Sequence, residues 1–179
     1  MRLQWIMALA VTSMVAGDYN RVYAQQDSAV AAARLKDPQG NDVGEVLFFK
    51  GERGVVIRAD IMGLAPGEHA FHIHEKAACE APDFTSAGGH FNPGRTQHGF
   101  LNPKGPHAGD LPNITVTEDS SASMEVTTDL VTLDENKKHS LFRRGGTAIV
   151  IHQNPDDYIT DPAGRGGDRI ACGEIEKTQ

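Results

Sequence analysis

The sequence predicts an all-β fold, an antiparallel sandwich or barrel of about eight strands with two long functional loops. Three observations carry that expectation. Apolar and polar residues alternate with period 2 in short runs, as in Val55, Ile57, Ala59 and Ile61 against Val56, Arg58, Asp60 and Met62. The chain is punctuated by 19 Gly and 9 Pro and is only 39% hydrophobic, which favours short elements joined by turns over a helical bundle. Segments 76–112 and 153–168 interrupt the strand rhythm, rich in Gly, Pro, Asp and Asn and almost without periodic apolar residues.

In chain order, residues 1–24 read as a secretory signal peptide. Arg2 gives a positive start, Trp5 to Gly17 an apolar stretch too short to span a membrane, and Val22-Tyr23-Ala24 a cleavage site. The working domain is then 25–179. Removing Arg2, Arg21 and Asp18 leaves it 15 basic and 23 acidic residues, net −8. A nucleic-acid binder held by phosphate neutralisation is excluded on that charge. Export to the periplasm or the extracellular space places the chain in an oxidising compartment, with no stable membrane insertion after cleavage. There Cys79 and Cys172, the only two cysteines, are expected to pair.

An opening strand is expected near Val30 to Leu35. Val43 to Lys50 and Val55 to Met62 follow, joined by a Gly51–Gly54 turn. The turn Ala65-Pro66-Gly67-Glu68 leads into His69 to Glu75. Ile114 to Thr117, Ser123 to Thr128, Thr147 to His152 and Arg169 to Glu176 complete the set. No repeat and no shift of composition marks a second domain.

Eight histidines in so short a chain need an explanation. In Ala70-Phe71-His72-Ile73-His74, alternation puts His72 and His74 on one face and the apolar pair on the other. The apolar pair belongs in the core, so the histidines face outward, where a long loop can cover them. Ala148-Ile149-Val150-Ile151-His152 ends the same way. An H-x-H pair alone is weak evidence, and single loop histidines are usually solvated. Loop 76–112, however, adds His90, His98, His107 and Asp110, and loops longer than about 15 residues in compact domains are usually functional or disordered. Six imidazoles and one carboxylate cannot fill two four-coordinate sites unless one ligand bridges. Three histidines with a carboxylate suit zinc, and an all-imidazole set suits copper. A dinuclear hydrolase would call for more carboxylates than Asp110.

These residues closely resemble the copper/zinc superoxide dismutase family, in its exported, bacterial type. The matching stretches are Ala70-Phe71-His72-Ile73-His74-Glu75 and Thr85-Ser86-Ala87-Gly88-Gly89-His90-Phe91-Asn92-Pro93. His98, Gly105-Pro106-His107-Ala108-Gly109-Asp110-Leu111 and Gly167-Asp168-Arg169-Ile170-Ala171-Cys172-Gly173 complete them. The resemblance covers essentially all of 28–176. It implies an eight-stranded Greek-key barrel and dismutation of superoxide to dioxygen and hydrogen peroxide, serving antioxidant defence. Copper would alternate between oxidation states, bridged through an imidazolate to a structural zinc, one of each per subunit.

By the same resemblance His72, His74, His90 and His152 are copper ligands, and His90, His98, His107 and Asp110 are zinc ligands, with His90 bridging and exchanging a proton. Asp156 is the carboxylate joining one ligand of each metal, Cys79–Cys172 the disulfide, and Arg169 the guide for the anion. A net −8 domain needs such a local cation to attract superoxide. Lys104 and Arg165 are candidates to widen the attraction. The resemblance makes His69 structural, and His139, in a charged turn, is expected to be solvated. Tyr158-Ile159-Thr160-Asp161-Pro162 is similar to bacterial members, and the short interval from His152 to Arg169 departs from the animal pattern.

The alternative is a non-catalytic copper carrier or chaperone on the same barrel; family members of that kind lack a copper ligand or the arginine, and this sequence keeps them all. A purely structural sandwich would leave the histidine spacing unexplained. Members occur as monomers and as homodimers, and the strand faces do not choose. Asn113-Ile114-Thr115 fits a glycosylation sequon, meaningful only in a eukaryotic source.

Overall fold

The computed structural model describes residues 28–178; the signal peptide expected at 1–24 lies outside them. All of its strand pairings are antiparallel. β1 (Ala31–Lys36), β2 (Asp42–Gly51) and β3 (Gly54–Met62) form a meander, and β7 (Ser121–Thr128) adds to the far side of β3. On the other side, β9 (Arg169–Glu174) pairs with β1, β8 (Ala148–His152) with β9, and β5 (Phe71–His74) with β8. The order is β5-β8-β9-β1-β2-β3-β7, a sheet that curls around one core, with β4 (Gly67–His69) and β6 (Ile114–Val116) paired as a separate ladder.

Period-2 alternation produces that core. β3 buries Val55, Ile57, Ala59 and Ile61, the predicted apolar face. Leu35, Val46, Phe48, Phe71, Ile73, Ile149 and Ile151 join them in one cluster. Burying each large side chain contributes roughly 1.5–3 kcal/mol, which is what fixes the register of every strand. Residues 129–147, connecting β7 to β8 without a strand, supply Val131, Leu133 and Leu141 to the same cluster.

Two expected strands are each divided, giving ten among the described residues in place of about eight. His69 to Glu75 breaks at Ala70, whose N–H donates to Asn154 O (2.8 Å) and whose carbonyl accepts from His152 N–H (2.9 Å). The chain changes partners there: β4 pairs with β6, β5 with β8. Arg169 to Glu176 breaks at Ile175, where N–H donates to Thr147 O (2.9 Å), and β10 (Glu176–Lys177) crosses to β1. A partner change is a tertiary event that leaves the local apolar pattern intact.

Candidate metal centre

β5 and the loop 75–113 form the floor of the site. Phe71 and Ile73 point into the core, and His72 and His74 emerge on the opposite face, fully buried under that loop. Two arms of the loop extend the edge of β5. Ile73 N–H donates to Gly109 O (2.8 Å), Phe91 N–H to Ile73 O (2.8 Å) and Gly109 N–H to Phe91 O (2.8 Å). This places His90 opposite His74 and Asp110 opposite His72. Gly109 is required by the approach, since a Cβ there would lie 2.2 Å from Ile73 O.

On β8, His152 leaves the sheet on the same outer face as His72 and His74. Ala148 and Val150 on that face pack against Phe84, Ala87 and the Cys79–Cys172 disulfide (Cα–Cα 5.6 Å), clamping the loop to the barrel. Residues separated by up to 80 positions therefore meet at two groups of donors. His72, His74, His90 and His152 form one and His90, His98, His107 and Asp110 the other, each with donor atoms within 4.8 Å of one another. His90 is common to both.

Hydrogen bonds fix which ring nitrogen faces inward. His74 Nδ1 donates to Gly88 O (3.0 Å) and His152 Nδ1 to Gly167 O (3.1 Å), so their Nε2 lone pairs face each other at 3.4 Å. His72 Nε2 donates to Asp156 Oδ2 (2.9 Å), leaving Nδ1 unpartnered; His90 Nε2 is the other buried side-chain polar atom without a partner among the described residues. Four inward donors with no proton between them fit a cation.

In the second group His90 Nδ1 and His98 Nδ1 lie 2.9 and 3.0 Å from Asp110 Oδ1, and His107 Nδ1 lies 3.4 Å from both His90 Nδ1 and Asp110 Oδ1. Three imidazoles and a carboxylate suit tetrahedral zinc, as the all-imidazole group suits copper. Asp156 joins the groups, accepting from His72 on Oδ2 and from His98 Nε2 on Oδ1 (2.9 Å).

Burial drives the pKa of the first group down: His72 to about 3, His152 to about 4, His74 well below its ordinary value, and His90 in the same direction. These rings stay neutral, as ligands must. Burial also acts against charging His98, but its bonds to Asp110 and Asp156 overcome this and raise it to about 9. Both carboxylates are held well below the usual range, the imidazole hydrogen bonds outweighing burial.

Arg169, at the start of β9, donates from Nη1 to Phe84 O (2.6 Å) and from Nη2 to Gly88 O (2.7 Å), the carbonyl that also takes the His74 proton. It lines a cleft of about 590 Å³ with Asp83, Thr85, Gln153 and Asp168. Lys104 and Arg165 do not line that cleft, and Arg165 lies 3.6 Å from Asp157. His69 sits with its ring nitrogens 2.9 Å from the carbonyls of His152 and Ala65. His139 differs from expectation: it is half-buried, with Nδ1 donating to Leu130 O (2.9 Å), because the 129–147 connection folds back on the barrel. Gly164 was not visible as a site residue; a Cβ there would lie 1.8 Å from Asp156 Oδ1.

The fold and donor set define a two-metal protein built on an antiparallel β-barrel. A family model described as copper/zinc superoxide dismutase matches residues 43–175. The chain is 48% identical over 145 residues to Superoxide dismutase [Cu-Zn] 1 of Aquifex aeolicus, covering 80% of this chain and 86% of that one. It is 43% identical to the Superoxide dismutase [Cu-Zn] of Caulobacter vibrioides over 82% and 85% of the two chains. A crystal structure of a doubly substituted SOD-like protein from Bacillus subtilis superposes with TM-score 0.80 at 41% identity, covering 82% of this chain and 98% of that one. The Cu/Zn superoxide dismutase from Brucella abortus gives 0.65 at 30% identity, with 82% and 99% covered. This chain belongs to the copper/zinc superoxide dismutase family. Its disulfide fits an exported member, and among the described residues no helix is long and apolar enough to cross a membrane.

Proposed function

We infer that His72, His74, His90 and His152 hold copper and that His90, His98, His107 and Asp110 hold zinc, one of each per chain. The protein is a superoxide dismutase, converting superoxide to dioxygen and hydrogen peroxide. The observation that carries the assignment is His90, whose Nδ1 belongs to one donor group while its buried, unpartnered Nε2 faces the other.

When bound, copper supplies a one-electron couple that accepts an electron from one superoxide and returns it to a second, while zinc supplies a fixed charge. The rest is done by the chain. Arg169, its guanidinium anchored on the carbonyl that also holds His74, attracts the anion and orients it by charge-assisted hydrogen bonds. His90 Nε2 takes up and gives back one proton, lowered in basicity by burial and held in position through Nδ1, and water supplies the second proton that hydrogen peroxide requires. Asp156 fixes the rings of His72 and His98 and so makes the two donor groups one rigid unit. Loop 75–113, together with the 153–168 segment that packs Gly164 against His98 and Gly166 against His152, keeps every ring buried.

Both donor groups are complete within one chain, so a homodimer, where formed, adds no ligand. Residues 1–24 serve as the export signal, and the mature enzyme works in the periplasm or extracellular space.

The test is direct. Purified mature protein is expected to bind one copper and one zinc by elemental analysis and to consume superoxide at a rate that follows copper content. Stoichiometric copper without dismutation would overturn the enzyme reading in favour of a copper carrier. N-terminal sequencing of the secreted protein checks the cleavage at Ala24.

A further inference from the structure

We infer that Asn113 is a positioning residue that sets the orientation of the Asp156 carboxylate, and through it the retention of zinc and the geometry of His72. This rests on the metal assignment above. Asn113 closes the loop that carries the zinc-site ligands, three residues beyond Asp110 and one before β6. Its carboxamide grips the backbone of Asp156 from both sides: Asp156 N–H donates to Asn113 Oδ1 (2.8 Å), and Asn113 Nδ2 donates to Asp156 O (3.0 Å). Its own N–H donates to the hydroxyl of Tyr158 (2.8 Å), and Tyr158 N–H donates to Asp156 Oδ1 (2.7 Å).

The arrangement is a closed ring joining residues 43 to 45 positions apart across two loops. Loop side chains often stitch neighbouring backbone without further consequence. Here the stitched residue is buried, and its two carboxylate oxygens hold the outer nitrogens of one ring from each donor group. A metal site tolerates only about 0.5 Å or 10–20° of displacement in its supporting groups, so anchoring Asp156 is anchoring the site. Only a carboxamide serves: it presents a donor and an acceptor side by side, whereas a carboxylate lacks the donor and a serine the reach. The same amide nitrogen is the acceptor position of the Asn113-Ile114-Thr115 sequon, and in this fold it is engaged.

The experiment compares wild type, Asn113→Ala, Asn113→Asp, Asp156→Asn and the Asn113→Ala/Asp156→Asn double variant, each as mature protein loaded with copper and zinc. The readouts are the rate of zinc transfer to excess colorimetric chelator and the visible and electron-paramagnetic spectra of the bound copper. Removing a group that supports a metal ligand typically costs 10–100-fold in affinity. Asn113→Ala and Asn113→Asp are expected to release zinc about 10-fold faster and to shift the copper spectra in the direction of Asp156→Asn. In the Asp156→Asn background Asn113→Ala is expected to add nothing, because the group it acts through is gone.

Unchanged zinc release and spectra with only a lower melting temperature would overturn the inference and make Asn113 a loop stitch; so would a fully additive effect in the double variant. Should Asn113→Ala not fold, Asn113→Asp decides with the same outcomes. Wild type that loads neither metal overturns the metal assignment and this inference with it. Wild type that loads both, beside Asn113 variants that match it, overturns this inference alone.

Discussion

Arg169 is tied to the histidines by a single carbonyl. Gly88 O accepts from both the guanidinium and His74, so the residue proposed to receive the anion and a residue that faces the donor cavity share one backbone oxygen. A charge-assisted hydrogen bond contributes roughly 1.5–3 kcal/mol, so Arg169→Ala is expected to lower kcat/KM about 10–100-fold. Copper content measured on the same sample should stay stoichiometric; loss of copper would make Arg169 chiefly a support for His74. Gly164 is the second such position. With φ of +59° and Asp156 Oδ1 1.8 Å from a built Cβ, Gly164→Ala must displace the carboxylate that spans the two groups. The expected outcome is weakened zinc binding in a competition titration, while the barrel, remote from the substitution, keeps its circular dichroism. The gathering of the histidines and the pairing of the cysteines were legible in the sequence because both residue types are rare and their spacing is unusual. Asn113 and Gly164 were not, since an asparagine in a loop reads as a turn or a sequon and a glycine as a bend; only the distance to Asp156 gives either a role.

At the level of elements, the loop 75–113 is held by backbone pairing to β5 and by the Cys79–Cys172 disulfide to β9. The bridge spans a sequence separation of 93, for which the chain-entropy model gives about 4–5 kcal/mol, with measured values often lower. Urea denaturation of the metal-free Cys79→Ser/Cys172→Ser variant is expected to show a loss of roughly 2–5 kcal/mol against the metal-free wild type. No change would mean that packing of Phe84 and Ala87 on Ala148 and Val150 already holds the loop. The strands themselves were legible by alternation, β3 most clearly. Their breaks at Ala70 and Ile175 were not, because hydrogen-bond partners change there while burial does not. Nor was the 129–147 connection: its buried Val131 and Leu133 alternate over too short a run to read as a strand, and Leu141 lies eight residues further on, beyond a charged turn.

For the molecule as a whole, the buried imidazoles make the metal-free protein sensitive to acid. His72 and His152 stand at about 3 and 4 when folded, and His74 and His90 are also lowered, against about 6.5 in the unfolded chain. Between those values the unfolded state takes up protons that the folded state refuses, so stability falls as pH drops from about 6.5 toward 4. Protonation of Asp110 and Asp156, both lowered by imidazole partners, extends the loss below that range. His98 acts with the opposite sign: raised to about 9, its contribution is complete below about 6.5 and disappears as pH climbs to about 9. Denaturation midpoints of the metal-free protein are therefore expected to peak near neutrality, read by urea titration across pH 4 to 9. A midpoint that rises steadily into acid would contradict the burial of these rings. Copper and zinc, which bind the folded state, should lift the whole curve.

The partner change at Ala70 has a further consequence for how such a chain diversifies. Phe71 and Ile73 insert into the hydrocarbon interior while His72 and His74 leave on the other side, so one four-residue strand sets the phase of both. Adding or deleting a single residue within it would exchange the two sets, sending imidazoles into the interior and hydrocarbon into the metal cavity. No point substitution elsewhere repairs an inversion of that kind. Chain length is thus constrained through β5, whereas the 129–147 connection, which carries none of the metal-site donors, is free of that constraint.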